Sequence, residues 1–157
     1  MNFEHLVEIN SATLPFLSRE QLWAGLILRA EKPELSLIGL DECLILERGA
    51  ETLRRELRFG NFHIRDRVRF VAMRYVIYEV EPTATTPAST LTMAVEEPEQ
   101  GYLFVRFTYA RARSEDEPEM DAFYADHLKQ AYTQADLDTI ATIRRLAEEG
   151  ALDCEKQ

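Results

Sequence analysis

A chain of 157 residues, 46% apolar and 29% charged, suits one domain whose core needs neither disulfides nor structural metal. Its net charge of −10 and pI near 4.8 disfavour unspecific attachment to nucleic acid or to an anionic membrane. The two cysteines, Cys43 and Cys154, lie far apart and form no metal or redox spacing, which fits a reduced cytosolic protein. Cys43 falls in a strand-like run and reads as inert core. The N-terminus lacks a basic start and a long apolar run, and no stretch approaches about 18 apolar residues, so neither signal peptide nor membrane span is expected. Cytoplasm is the expected location.

In chain order, Phe3, His5, Val7 and Ile9 alternate with Glu4, Leu6 and Glu8, the period of a first strand. Pro15 and its neighbours over 10–17 interrupt it. Ser18-Arg19-Glu20-Gln21 has capping-box form, in which the Ser hydroxyl and the Gln amide satisfy early helical donors. Leu22, Trp23, Leu26 and Ile27 follow at helical spacing, and the helix should end before Pro33. A meander is then expected at about 41–47, 52–59, 62–71, 74–81, 89–96 and 102–111, each segment bounded by Gly, Pro or polar residues. The segment 83–88, beside Pro82 and containing Pro87, reads as the one low-complexity loop and as mobile. There is no internal repeat or linker. Residues 1–150 form one domain and 151–157 a polar tail.

The hairpin 53–70 carries the most information. Gly60-Asn61 as a two-residue loop suits a type II′ turn, which pairs Phe59 with Phe62, Leu57 with Ile64, Arg55 with Asp66 and Leu53 with Val68. One face is then apolar around an Arg55–Asp66 pair, and the other holds Arg54, Glu56, Arg58, His63, Arg65, Arg67 and Arg69, which belong in water. Desolvating such a pair costs roughly several kcal/mol, so it is either a structural tie or a polar spot in a cavity. On later strands Leu91, Met93, Val95, Leu103, Val105, Phe107 and Tyr109 should face inward, and with them Val76, Tyr78 and Val80, bringing Tyr78 close to Asp66. A loop of the other parity before Tyr75 would instead turn Tyr75, Ile77 and Glu79 inward.

A long helix closes the chain, from about Pro118 to a stop at Gly150, with acids ahead of it that suit its positive end. Met120, Phe123, Tyr124, His127, Leu128, Ala131 and Ala135 share one face, while Leu137, Ile140, Ile143 and Ala147 centre on nearly the opposite one. Either the helix bends near 133–136, or its second half packs on another surface such as a partner subunit. A homodimer is one form that partner could take.

A strand, a short helix, a curved antiparallel meander and one long C-terminal helix resemble the START-like, birch-pollen-allergen-like (SRPBCC) superfamily over nearly the whole chain. Val7-Glu8-Ile9-Asn10-Ser11 followed by Ser18 to Leu26 with Trp23 is similar to that superfamily's first strand and Val-Trp-type helix. Phe3-Glu4-His5, Gln21-Leu22-Trp23-Ala24-Gly25-Leu26, Ile64-Arg65-Asp66-Arg67-Val68, Tyr124-Ala125-Asp126 and Ala131-Tyr132 look like a small bacterial and fungal subgroup of unassigned function. Some fungal members are associated with secondary-metabolite gene clusters. The resemblance implies an α+β helix-grip fold, a curved antiparallel sheet of about seven strands wrapped on the C-terminal helix. It also implies a cavity between the two, but it transfers no catalytic residue.

An apolar cavity with few polar groups is the usual composition of a small-molecule site. Arg55 could hold a carboxylate or enolate oxygen, Asp66 could orient Arg55 or accept a proton, and Tyr78, Tyr109 or Tyr124 could donate to a ligand carbonyl beside Phe107. Each has a bland rival: a cross-strand tie for the pair, and packed rings with solvated hydroxyls for the tyrosines. Asp66 and His127 are the candidates for proton transfer, although a lone helical His is more often a rim or core residue. His5 and His63 rank below His127, one near the chain start and the other on the wet face. No phosphate loop, nucleophile elbow or metal spacing is present, so no metal or cofactor is expected. The aromatics among the arginines point to the other strand face, which does not suit nucleic acid. The reading taken is a cytosolic protein that binds an apolar or aromatic small molecule. The alternatives are a cyclase or dehydratase-type enzyme of polyketide-like metabolism and a chaperone-activator-like module with a filled core.

Overall fold

Alternation at Phe3, His5 and Val7 makes β1 (Asn2–Glu8), with Leu6 left to solvent. The computed structural model describes residues 2–84, 86–112 and 122–153. Beyond β1, the Asn10 side chain accepts from Leu17 N–H and donates to the carbonyls of Leu17 and Gly101, which fixes the loop leading into α1 (Arg19–Glu31). Ser18 and Gln21 form the expected reciprocal capping box, and α1 stops at Lys32 before a short turn of helix at Pro33–Leu35.

The meander follows as β2 (Glu42–Arg48), β3 (Thr52–Phe59), β4 (Phe62–Val71), β5 (Tyr75–Val80), β6 (Ser89–Glu99) and β7 (Tyr102–Arg111). All pairs are antiparallel in one seven-stranded sheet of order β1-β7-β6-β5-β4-β3-β2, so both ends of the chain order meet at β1 and β7. Gly60 has φ +61° while Asn61 stays at ordinary φ, the signature of the II′ turn, and the β3–β4 register is the one the turn requires, with Arg55 opposite Asp66. Between β4 and β5 the three-residue loop 72–74 places Met73 at φ +64°; the Arg19 guanidinium holds its carbonyl with bonds of 2.8 and 3.3 Å. This loop settles the parity: Val76 and Tyr78 are buried and Tyr75 and Ile77 are not. The arginine-rich outer face is solvated and paired with acids, Arg65 to Glu56 at 2.8 Å and Arg69 to Glu79 at 3.0 Å.

The closing helix, α2 (Ala122–Glu148), is one continuous helix; its expected start near Pro118 lies outside the described residues. The expected inward stripe is wrong. Phe123, Tyr124, His127, Ala131 and Ala135 are exposed, and the face turned to the sheet runs through Leu128, Tyr132, Asp136, Thr139, Ile143 and Leu146. These positions step by three or four residues, so no bend is needed and the second half packs within its own chain. Ile140, Ile143 and Leu146 join one core with Leu22 and Leu26 of α1, not a partner subunit's surface.

The two helices cross where Gly25 meets Ile143. A Cβ on Gly25 would lie 2.5 Å from Ile143 Cγ2 and 2.8 Å from its Cγ1, and a β-branched side chain has little freedom to retreat. Gly25→Ala is therefore expected to destabilise by about 1–3 kcal/mol, the range for overpacking. The double variant Gly25→Ala/Ile143→Ala should lose less than the sum of the single losses, as measured by urea unfolding.

Candidate functional site

Strand register brings Arg55 and Asp66 together on the concave face, each 3% exposed. The pairing is bidentate, Nε to Oδ1 at 2.9 Å and Nη2 to Oδ2 at 2.6 Å, and the remaining Nη1 donates to the Ala30 carbonyl at 2.8 Å. Burial works against the Arg55 charge, but the hydrogen bonds and charge of Asp66 outweigh it and raise its pKa above the ordinary value. Asp66 thus orients Arg55, and Arg55 ties the sheet to the last turn of α1.

Above this pair lies a partly open cavity of about 250 Å³. Its apolar wall includes Leu57, Ile64, Val80, Leu91 and Leu128, and its polar groups include Arg29, Arg55, Asp66, Tyr78, Tyr109 and Tyr132. Ile64, Val80, Ser89, Arg111 and Tyr132 also line a second recess of about 350 Å³, which extends the space outward. The Tyr78 ring carries the Arg29 guanidinium 5.0 Å from its centroid and that of Arg55 at 5.2 Å. Two donors are left over. The Tyr78 hydroxyl is buried without a partner, and Arg29 gives only Nε to a side chain, Thr139 Oγ1 at 3.3 Å, among the described residues.

A third polar group joins the cavity to the helix. Tyr109 donates its hydroxyl to Asp136 Oδ1 at 2.7 Å, and His5 Nε2 lies 2.6 Å from Oδ2, donating in the tautomer that carries Nε2–H. Asp136 is 1% exposed. Burial raises its pKa, while the bonds from Tyr109 and His5 and the charge of Arg29 pull the other way. Burial and then the Asp136 charge push the Tyr109 hydroxyl far above its ordinary value, so Tyr109 is neutral. Aromatic stacking holds both donors: the His5 ring sits between Phe3 (5.4 Å) and Phe107 (5.3 Å), and Tyr109 lies on Tyr132 at 4.1 Å.

The profile of a family described as Acetylaranotin biosynthesis cluster protein L (AtaL) matches residues 3–150. The chain belongs to the AtaL family. A search of curated proteins returns no match. Among solved structures, this AtaL-family chain is similar to the di-domain ARO/CYC StfQ from the steffimycin biosynthetic pathway, with a TM-score of 0.71 at 10% identity over 96% of this chain. The chain spans about half of StfQ, 52% of its length. It is also similar to Ara h 8.0201 (TM-score 0.65, 10% identity, 95% of this chain and 98% of that one). A third neighbour is the ZhuI aromatase/cyclase from Streptomyces sp. R1128 (TM-score 0.61, 13% identity, 94% and 93%). These likenesses place the AtaL-family chain in the START-like, birch-pollen-allergen-like fold.

Of the residues singled out from sequence, Arg55, Asp66, Tyr78 and Tyr109 line the cavity of the AtaL-family protein together. Phe107 does not line it: fully buried, it backs the His5 ring. Tyr124 and His127 are exposed on α2 and line no part of it, because the helix turns its Leu128–Tyr132–Asp136 stripe inward instead. Cys43 is half-buried on β2, with burial raising its thiol pKa. The residues missed are Arg29, Tyr132, Asp136 and His5. Their signal was position: Arg29 stands seven residues after Leu22, and His5 shares the strand face of Val7 and Ile9. Among the described residues no group of three or more His, Cys, Asp or Glu side chains is placed to hold a metal. No described helix is long and apolar enough to cross a membrane.

Breaking the Arg55–Asp66 pair strands a buried charge, so Asp66→Ala is expected to cost about 3–5 kcal/mol, whereas Arg55→Met/Asp66→Leu should recover most of that in urea unfolding. Asp136 carries a pH signature. Its folded pKa lies above the ordinary carboxylate value, so the folded state binds the proton more tightly and its contribution to stability is fully present below that ordinary value. As pH rises through the folded-state pKa, that contribution is lost. Asp136→Asn keeps an acceptor for Tyr109 and can donate to His5 Nε2 once that ring takes its Nδ1–H tautomer, and the stability difference between wild type and this variant should shift against wild type as pH rises from about 4 toward 7.

Proposed function

We propose that this protein binds an aromatic or conjugated small molecule with a polar acceptor, enclosed between the concave sheet and α2. The observation that carries the reading is the Tyr78 hydroxyl, buried at the cavity wall with no partner among the described residues. An unpaired buried hydroxyl costs about 1–3 kcal/mol, a cost that a ligand oxygen in the cavity would remove. Arg29, on the same ring, adds a cation whose terminal nitrogens have no acceptor among the described residues.

Size supports the same class. A cavity of about 150 Å³ takes benzene, so the roughly 250 Å³ here suits a bicyclic compound, with the outer recess available to a substituent. Unfilled space argues against the filled-core interaction module. A cyclase or dehydratase-type reaction is favoured by one observation, the coupling of cavity-lining Tyr109 to buried Asp136. That two of the fold neighbours are aromatase/cyclases agrees with a conjugated, polyketide-like occupant.

Native mass spectrometry of the freshly purified protein, followed by denaturing extraction, should recover a conjugated compound. Titration with 7-methoxycoumarin, which offers a carbonyl acceptor and no acidic proton, tests the cavity directly. Tyr78→Phe should weaken that binding about tenfold, the worth of one good hydrogen bond, and leave the melting temperature unchanged or higher because an unsatisfied group is gone. A lower melting temperature with unchanged affinity would make Tyr78 structural and overturn the reading.

A further inference from the structure

Tyr109, Asp136 and His5 come from β7, α2 and β1, and only Tyr109 lines the cavity. A buried carboxylate needs its hydrogen bonds, but a structural carboxylate has no need to reach a ligand site through a hydroxyl that both donates and accepts. Resting on the binding reading above, we propose that Tyr109 and Asp136 form a two-step proton acceptor for the hydroxyl of an enol or phenol conjugated to a carbonyl, so that such a ligand is held as its anion.

The step balances as follows. The ligand O–H bond breaks and its electron pair stays on the ligand oxygen; the proton bonds to Tyr109 Oη as the Tyr109 O–H proton passes to Asp136 Oδ1. Tyr109 ends neutral, Asp136 ends as the carboxylic acid, and one negative charge has moved from Asp136 to the ligand. Conjugation spreads that charge toward the carbonyl, and the cavity supplies donors for it in Arg29 and the Tyr78 hydroxyl. Three further features fit. Asp136 lies behind Tyr109 and does not line the cavity, so among the described residues the tyrosine is what connects the two. His5, on the other carboxylate oxygen, is a positioning residue that keeps Oδ1 turned to Tyr109. Burial makes the Asp136 carboxylate more basic than a solvated one, with Arg29 from α1 the cation whose charge reaches it. Tyr132, stacked on Tyr109, is a further ionisable neighbour, and Arg55, Asp66 and Arg111 also line the cavity.

The probe is 7-hydroxycoumarin, whose phenol and phenolate absorb at different wavelengths, with proton release measured by calorimetry in buffers of different ionisation enthalpy. At pH 7 the wild type should bind it as the phenolate with no net proton released to the buffer, because the proton stays on Asp136. Asp136→Asn, which keeps the bond from Tyr109 and can donate to His5 in its other tautomer, should either lose the phenolate band or show it with one proton released; Tyr109→Phe, which cuts the route at the cavity, should do the same. In both variants 7-methoxycoumarin, which has no proton to give, should lose less affinity than 7-hydroxycoumarin. A wild-type complex holding the neutral phenol, or the phenolate with one proton released, overturns the proton acceptor and leaves the binding reading intact. Failure of both coumarins to bind removes the binding reading and the proton acceptor with it.

Discussion

Arg55 and Asp66 are charges out of water on the inner face of a sheet, and that constraint organises the structure around them. Coulomb attraction alone does not offset the desolvation of two ions; the remaining donors must also be used. Asp66 accepts from two of the Arg55 nitrogens, and the third nitrogen donates to the Ala30 carbonyl. That carbonyl lies in the last turn of α1, where helical carbonyls begin to lack intrahelical partners. The pair therefore docks the helix end to the sheet as well as occupying the cavity floor. Gly25 completes the docking by letting Ile143 of α2 approach the α1 backbone. With β1–β7 behind and β3–β4 in front, space remains between the anchored helices and the concave face.

Within that space, satisfied and unsatisfied polar groups have separate meanings. Arg55 and Asp66 have spent their hydrogen bonds on each other and on α1, so although they line the cavity their first role is structural. Tyr78 is the reverse case. Its ring lies against two guanidinium groups, while its hydroxyl is unpaired among the described residues. The same division separates Arg55 from Arg29: both lie on the Tyr78 ring, but only Arg29 keeps terminal nitrogens without acceptors among the described residues. The tyrosine is thus the boundary between the tie that stabilises the fold and the donors left for an occupant.

How much of this was legible depended on whether a local rule left the chain any freedom. Gly60-Asn61 allowed one turn type, and the turn fixed the pairing of Arg55 with Asp66 by counting. Tyr78 was placed only conditionally, because the parity of the loop at Met73 depends on a left-handed residue held by Arg19 from a distant helix, a tertiary fact. The helix α2 was misread for a physical reason. Apolar periodicity assumes that Phe and Tyr mark the buried side and Asp the wet one, yet Phe123 and Tyr124 are exposed and Asp136 is 1% exposed. Once Asp136 is allowed inward, Leu128, Tyr132, Asp136, Thr139, Ile143 and Leu146 form one stripe. His5 was set aside for its nearness to the chain start, although its alternation with Val7 and Ile9 already turned it inward.

That Asp136 sits inside at all shows what the stacked rings accomplish. A carboxylate in that position needs a donor on each oxygen, and the two it has come from strands adjacent in the sheet, β1 and β7, whose register sets His5 opposite Phe107. Tyr109 is two residues beyond Phe107 on the same face, so one inward period of β7 separates the ring that backs His5 from the hydroxyl that meets Oδ1. Phe3 joins the His5 ring to the two tyrosines, and Phe107 and Tyr132 close the column at its ends. Two donors held this firmly at a single carboxylate leave it little freedom to reorient. A carboxylate that cannot turn away, connected to the cavity through a tyrosine at its wall, is positioned for exchange with whatever that wall touches. The same polar cluster that closes the sheet against α2 is therefore also the part of the core in chemical communication with the cavity.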